Sequence, residues 1–301
     1  MSTTAAPRVS AAPPAPFRDV PKANAHVLRG RIAIALKYVS LLAGCFAALV
    51  PILVVVFTSL KSKAEYAATG PFTPPANWFH FDNYVEFFDK ASVLRSLFNT
   101  GFILVLSVAG TVLIGSMAAY ALNRFDFKIR GLVIALFLVA TLVPPITNQV
   151  AVFPLVVKMG LYDTRWSMIL LSLGTDIVSI YIFMQFIQGI PKELDEAAAL
   201  DGANHVTIFV RIIFPLLKPA IATVIIIKGI FIYNDYYTPF LYMPSSDLGV
   251  MSTSLSRFSG PFGSQWELIS AGVVVLMIPT LILFLFLQRY IYNGFTSGST
   301  K

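Results

Sequence analysis

Two charged side chains lie near the middle of long apolar stretches of this sequence, where an unpaired charge is costly. Asp176 stands ten residues into the stretch 166–190, and Lys228 stands nine residues after Pro219 in the stretch 219–244. At about 1.5 Å of rise per helical residue, each lies roughly 14–15 Å deep if these stretches are membrane helices. A charge at that depth costs about 2.5–3.5 kcal/mol. We therefore expect both side chains to face other helices or an aqueous path.

Two interpretations of these charges remain open. Asp176 and Lys228 could form a structural ion pair between two helices, or they could line a substrate path, since buried membrane charges serve both purposes. Other polar residues in the apolar stretches are further candidates for such a path. These are Asn148, Gln149, Tyr233, Asn234 and Asp235. The tyrosine also suits an interfacial aromatic belt, and the first two amides also suit hydrogen bonding between helices.

No set of residues in the sequence indicates catalysis. The chain contains no Gly-Lys dipeptide and so no Walker A loop, and neither a Gly-x-Ser-x-Gly elbow nor a His-Glu-x-x-His motif occurs. His26, His80 and His205 are far apart in sequence and are expected on different sides of a membrane, which argues against a three-histidine metal site. We expect no catalytic and no metal-binding residues, so if the protein does work on a gradient, its energy must come from ions or from a partner.

The composition predicts an integral membrane protein. Of 301 residues, 56% are hydrophobic and only 12% are charged, whereas a soluble domain carries about 25% charged residues. Six apolar stretches are long enough to cross roughly 30 Å of hydrocarbon as helices. They are 38–60, 97–122, 131–157, 166–190, 219–244 and 268–288. We predict an all-α membrane protein with six transmembrane helices.

The distribution of basic residues predicts the orientation. Fourteen of the 22 Lys and Arg residues lie on the side of the two termini, seven lie on the other side, and Lys228 lies within a helix. Because cytoplasmic loops are enriched in these residues, both termini are expected in the cytoplasm. The net charge of +7 is then explained by topology, and no nucleic-acid partner is expected. The only cysteine, Cys45, excludes an intrachain disulfide.

The chain is expected to divide into four parts. Residues 1–35 begin with a stretch rich in Ala, Pro, Ser and Thr and are expected to be a disordered cytoplasmic segment. Residues 36–93 hold the first transmembrane helix and an external loop. Residues 94–291 form the remaining transmembrane core, which includes a polar segment at 191–219. Residues 292–301 form a cytoplasmic tail.

The polar segment at 191–219 predicts two short amphipathic helices. Three acids, Glu193, Asp195 and Glu196, lie where the dipole of a first helix favours them. Gly202 ends that helix and Asn204 can cap a second one. The second helix would carry an apolar stripe at offsets 0, 3, 4 and 7. The stripe consists of Val206, Phe209, Val210 and Ile213. Acids disfavour contact with an anionic inner leaflet, so a protein partner fits better than a membrane surface.

Small and acidic residues of this segment follow a pattern found in one transporter family. The pattern consists of Glu196, Ala197, Ala198, Asp201, Gly202, Ala203, Phe209, Ile212, Pro215 and Pro219. It resembles the EAA loop of ABC-importer permeases, although Phe214 stands where the family usually has Leu. Further stretches resemble the carbohydrate-uptake, MalG-like branch of that family. They are 120–125, 144–145, 160–164, 233–235 and 293–298. The resemblance covers about residues 90–301.

The resemblance implies a function and a set of partners. The fold would be that of a type I ABC-importer permease in the inner or plasma membrane. The first nine residues of the pattern, through Pro215, would couple the permease to a cytoplasmic ABC ATPase dimer, which uses ATP and Mg while this chain binds no cofactor. A second homologous permease and an extracytoplasmic sugar-binding protein would complete an oligosaccharide importer. The alternative is an ion-coupled secondary transporter that uses Asp176 and Lys228 and needs no such segment.

Overall fold

The computed structural model describes residues 23–173, 176–260 and 263–297. The chain divides into two units, 1–53 and 54–301. The α-helices are α1 Ala23–Ser59, α2 Lys63–Ala68, α3 Asp82–Lys90, α4 Val93–Arg124, α5 Arg130–Thr141, α6 Pro145–Lys158, α7 Arg165–Leu173, α8 Ile177–Gln188, α9 Glu193–Leu200, α10 His205–Ile208, α11 Phe214–Leu216, α12 Lys218–Asn234, α13 Tyr237–Tyr242, α14 Met251–Ser254 and α15 Trp266–Ser297. Two short strands, β1 Ser259–Gly260 and β2 Gly263–Ser264, pair antiparallel.

Up to six segments of the described chain can cross a membrane. Three helices, α1, α4 and α15, are long and apolar enough by themselves. Three bent pairs qualify when each is taken as one span: α5 with α6, α7 with α8, and 205–216 with α12. In the third pair α12 alone, with 17 residues, rises about 26 Å. It therefore nearly crosses the hydrocarbon without the arm at 205–216.

The predicted third, fourth and fifth stretches are not single straight helices, and the axes of α7 and α8 in the fourth differ by 41°. The axes of α5 and α6 differ by 107°, and the break falls at Pro144, which precedes α6. Proline lacks an N–H and its ring clashes with the preceding turn, so a Pro-Pro pair interrupts a helix. The fifth stretch was predicted to run through residue 244, but α12 ends at Asn234 and a separate short helix, α13, follows.

The N-terminal part of the described chain is helical where disorder was predicted, and the last helix extends past the predicted start of the tail. The predicted disordered segment reached residue 35, but α1 begins at Ala23, where Ala, Leu and Arg favour a helix. Residues 1–22 lie outside the described part. The predicted tail began at residue 292, but α15 continues through Ser297, and residues 298–301 are not described. Within residues 30–53, apolar side chains such as Leu42 and Phe46 are exposed, which suits a lipid-facing helix.

Helix α4 is the centre of the second unit and packs against α7, α8 and α12. One face of α4 carries small side chains that let neighbouring helices approach closely. The buried members of this face are Ser96, Thr100, Ser107, Thr111, Gly115, Ser116 and Ala119. At Gly110, an added Cβ would lie 2.0 Å from Leu173 Cδ2 in α7, so the Leu173 side chain would have to shift. Larger residues complete the shared core, including Ile103, Phe183, Ile187 and Val224.

Candidate functional site

Helix α9 ends in a tight turn that depends on a glycine. Gly202 has a φ of +84°, a conformation that costs glycine little but strains other residues. Its N–H donates to Ala199 O, and the N–H of Ala203 donates to Ala198 O, each over 3.0 Å. This pair of bonds is the Schellman motif that terminates helices. The predicted role of Gly202 as a helix stop is confirmed.

A second helical stretch, from α10 through α11, follows directly. Asn204 Oδ1 accepts a hydrogen bond from Thr207 N over 2.8 Å, as predicted for an N-cap. Residues Phe209–Ile213 form a π-helical turn between α10 and α11. We refer to residues 193–216, from α9 to α11, as the α9–α11 segment.

The predicted apolar stripe of the second helix is wrong in two of its four positions. Phe209 and Ile213 are buried as expected, but Val206 is 72% exposed and Val210 is also exposed. Ile208, 1% exposed, takes the inner position instead. The π-helical turn explains the difference. It places one extra residue in the turn, so the buried face follows a spacing of five from Ile208 to Ile213 rather than the α-helical pattern.

The α9–α11 segment is attached to the end of α4 by charge and by aromatic contacts. Arg124, the last residue of α4, places Nε 2.6 Å from Asp195 Oδ2 in the first turn of α9. Its Nη2 also donates to Ile190 O over 2.8 Å. The ring of Tyr120 packs on Phe209 with centroids 5.4 Å apart. The sequence reasoning missed the Arg124–Asp195 pair, because 71 residues separate the two.

One exposed face of α9 combines acids with the large apolar residue Leu200, and Leu194 is exposed beside it. This face consists of Glu193, Glu196, Ala197, Leu200 and Asp201, all exposed. Leu200 is 90% exposed, which is unusual for a leucine in the middle of an ordered segment. The sequence reasoning missed Leu200, although it shares a helical face with Glu193 and Glu196 at offsets of seven and four residues.

The nine residues implied by the family pattern are divided between two environments. Glu196, Ala197, Asp201, Gly202 and Pro215 are exposed. Ala198 and Ala203 are half-buried and pack against the core of the second unit. Phe209 is buried and Ile212 is half-buried. A small side chain at Ala198 therefore lets α9 lie close to its own core, rather than offering space on the exposed face.

The two charges predicted inside the membrane form an ion pair. Lys228 Nζ of α12 lies 3.2 Å from Asp176 Oδ2, which precedes α8. Ser179 Oγ donates to the same carboxylate oxygen over 2.6 Å, and the ammonium also lies 5.9 Å from the centroid of the Phe231 ring. Both side chains are largely buried. The pair joins α8 to α12, which was one of the two interpretations.

Of the other polar candidates, Tyr233 and Asn234 line a second cavity of about 500 Å³ between α12 and α15, whereas the rest are not brought together with them. Tyr233 donates its hydroxyl hydrogen to Leu276 O in α15 over 2.9 Å. Asn234 bonds Ile230 O within its own helix, and Asp235 Oδ1 accepts from Thr238 N. Asn148 is exposed, whereas Gln149 accepts a hydrogen bond from the Tyr242 hydroxyl.

A cavity that the sequence reasoning did not predict lies between α5, α8 and α12. Its volume is about 780 Å³, and its lining is mostly apolar. Four side chains in the lining can hydrogen-bond a ligand: Thr141, Tyr181, Gln185 and Thr223. Ile177 and Ile227 also line it and are the sequence neighbours of Asp176 and Lys228, which are not themselves among its lining residues.

Similarity to known proteins covers most of the chain. The melibiose/raffinose/stachyose import permease protein MelC of Bacillus subtilis (strain 168) is 34% identical over 270 residues, which is 88% of this chain and 97% of MelC. The arabinooligosaccharides transport system permease protein AraQ of Halalkalibacterium halodurans is 31% identical over 260 residues, covering 85% of this chain and 92% of AraQ.

A solved structure shares the fold. It is the crystal structure of a bacterial ABC transporter involved in the import of the acidic polysaccharide alginate, with a TM-score of 0.76 at 23% identity. The match covers 86% of this chain and 96% of that chain, and it supports the type I permease fold. Residues 111–297, more than half of the chain, match the family described as the inner membrane component of binding-protein-dependent transport systems. This chain belongs to that family.

Proposed function

We propose that this chain is the permease subunit of an ATP-driven importer for an oligosaccharide, and that the exposed face of α9 docks onto a separate ATPase. The exposed face of α9 is the main support for this proposal. It combines acids with Leu200, which is 90% exposed, on a helix that contacts the end of α4. A solvated surface helix has no need for such a leucine, whereas a protein interface uses a buried apolar centre with a polar rim.

The partners follow from the family and from what the chain lacks. Its sequence holds no nucleotide-binding loop, so a separate ATPase dimer would hydrolyse ATP with Mg. Family members are described as components of binding-protein-dependent systems, so an extracytoplasmic binding protein would deliver the substrate. A second, homologous permease would complete the translocation path. The ion-coupled alternative does not account for the α9–α11 segment, and membership of this family favours the importer.

The substrate class is inferred from the relatives. MelC and AraQ are named for oligosaccharides, so we propose an oligosaccharide for this chain too. The cavity between α5, α8 and α12 offers hydroxyl and amide groups in an apolar lining, which suits the hydroxyls and the apolar faces of a sugar. Asp176 and Lys228 follow or precede lining residues in sequence and would contribute to the path while compensating each other's charge.

The orientation of the importer would place both termini and the α9–α11 segment in the cytoplasm. Fourteen of the 22 basic residues lie on this side, against seven on the other, and the positive-inside rule favours this arrangement. The acids of the exposed face of α9 would then point away from the anionic leaflet towards the ATPase.

The docking proposal is tested by adding a charge to the exposed face. Leu200→Glu places a fourth acid among Glu193, Glu196 and Asp201 and removes the apolar centre, so we expect the ATPase to be lost when the tagged permease complex is purified. The matched control is Ala199→Glu, which adds the same charge about 100° away around the helix. If the Leu200→Glu complex copurifies with as much ATPase per permease as the wild type, α9 is not the docking surface.

A further inference from the structure

We propose that Arg124 and Asp195 are positioning residues that transmit movement of α9 directly to α4 during transport. The inference rests on the proposed docking of an ATPase on α9 and adds how the docked helix acts on the membrane core. It assigns a role to a buried ion pair that the docking surface itself does not use.

Arg124 and Asp195 form a close, buried ion pair, although neither Arg124 Nε nor Asp195 Oδ1 has a hydrogen-bond partner among the described residues. The Arg124 side chain is 6% exposed and that of Asp195 is 16% exposed, with Nε and Oδ2 2.6 Å apart. Nη2 of the same guanidinium donates a hydrogen bond to Ile190 O. One side chain therefore contacts both the linker before α9 and the first turn of α9. A planar guanidinium that donates to the Ile190 carbonyl and pairs its charge with the Asp195 carboxylate fixes their relative position better than a flexible ammonium would.

Helix α9 has few other attachments to the molecule. It contains no fully buried residue, and Ala198 is its one side chain packed against the core of the second unit. Within the described residues, Asp195 is the only α9 side chain with an ion pair or a side-chain hydrogen bond. A displacement of α9 therefore reaches the core through its two chain ends, through Ala198 and through Arg124.

Helix α4, to which the movement of α9 would be transmitted, contacts most of the core of the second unit. Helix α4 packs along α7, α8 and α12, and beside Arg124 the Asn123 amide donates to Met184 O of α8 over 2.9 Å. The second helix of the segment has its own contacts with this end of α4, where Phe125 meets His205 at 4.9 Å between centroids. The ion pair thus gives α9 a separate route to α4, independent of the aromatic contacts.

The Arg124–Asp195 pair could instead only hold α9 in place, and this static role predicts a different outcome from the transmission of movement. If the pair only held α9 in place for docking, breaking it would release the ATPase. If the pair transmits movement, the ATPase stays bound and hydrolyses ATP, but less substrate moves for each ATP. The ratio of transported sugar to hydrolysed ATP therefore separates the two roles.

The experiment uses the full complex in proteoliposomes with its binding protein and a radiolabelled oligosaccharide of the raffinose type. Asp195→Asn removes the charge at nearly constant volume. We expect the variant complex to contain as much ATPase per permease as the wild type. We expect the amount of sugar transported per ATP hydrolysed to fall about 5- to 10-fold, within the usual range of coupling between sites. Asp195→Glu, which restores the charge, should recover at least part of that ratio. Asp126→Asn is the matched control, since Asp126 forms an exposed pair with Arg130 near the same end of α4, and its ratio should not change.

Each remaining outcome counts against the inference. An unchanged ratio in Asp195→Asn, or loss of the ATPase from that complex, would overturn it. If Asp195→Asn does not reach the membrane, Arg124→Lys replaces it, because lysine keeps the charge but loses the forked geometry. Assembly with a lowered ratio then supports the inference, whereas an unchanged ratio or failed assembly overturns it. A wild-type complex that binds no ATPase would instead remove the proposed function, and this inference with it.

Discussion

At the scale of single residues, neighbours in the family pattern occupy different environments in the structure. Ala197 and Ala198 are neighbours in the family pattern, yet Ala197 is exposed and Ala198 packs against the core. An alanine gives no sign in the sequence of which side of a short helix it occupies, since it fits either. The acids Glu193 and Glu196 were predictable as first-turn residues, because the helix dipole acts locally.

The Asp176–Lys228 pair leads to a prediction about stability. Removing one partner of a buried pair leaves an uncompensated charge and typically costs about 3–5 kcal/mol. Lys228→Met should therefore lower the melting temperature of the purified complex in detergent. Adding Asp176→Asn should restore much of the loss, because it removes the orphaned charge. If both single variants melt and transport like the wild type, the pair has neither a structural nor a pathway role.

At the scale of elements, the features of the α9–α11 segment that depend on nearby residues could be predicted from the sequence. Features that depend on distant contacts or on an inserted residue could not. Gly202 and Asn204 act on the backbone within a few residues, so their roles as stop and cap could be predicted. The π-helical turn at Phe209–Ile213 could not, because an ordinary apolar pattern gives no indication of an inserted residue. The Arg124–Asp195 pair joins distant parts of the chain and has no local signature.

The turn at Gly202 leads to a prediction about uptake. Proline fixes φ near −65°, whereas Gly202 has a φ of +84°, and proline also lacks the N–H that bonds Ala199 O. Gly202→Pro should abolish uptake, because the second helix can no longer follow the same turn. Immunoblots of membrane fractions should show the protein at a near-normal level, since the turn lies outside the long apolar helices. Normal uptake by this variant would rule out a role for the turn in coupling.

At the scale of the whole molecule, hydropathy predicted the six membrane segments but not their bends. Apolar length is a property of the sequence, whereas the 107° angle between α5 and α6 depends on how a Pro-Pro break is accommodated by neighbouring helices. The cavity between α5, α8 and α12 also had no sequence signal, since its lining comes from three separate helices and is mostly apolar.

The whole assembly is expected to need a second permease. Many large apolar side chains of the second unit are exposed, such as Leu136, Val150 and Phe231, and a homologous partner would cover part of this surface. Proteoliposomes that contain this chain, the ATPase and the binding protein but no second permease should show no uptake. Uptake at the rate of the complete complex would contradict a heterodimeric core.

The central claim is that ATP hydrolysis by a docked partner, not an ion gradient, drives import through this chain. The most direct measurement is uptake of a labelled oligosaccharide into proteoliposomes holding the complete complex, with its binding protein on the substrate side and ATP on the ATPase side. We predict uptake that requires both ATP and the binding protein and that persists when ionophores collapse all ion gradients. Uptake driven by a proton or sodium gradient without ATP would contradict the account.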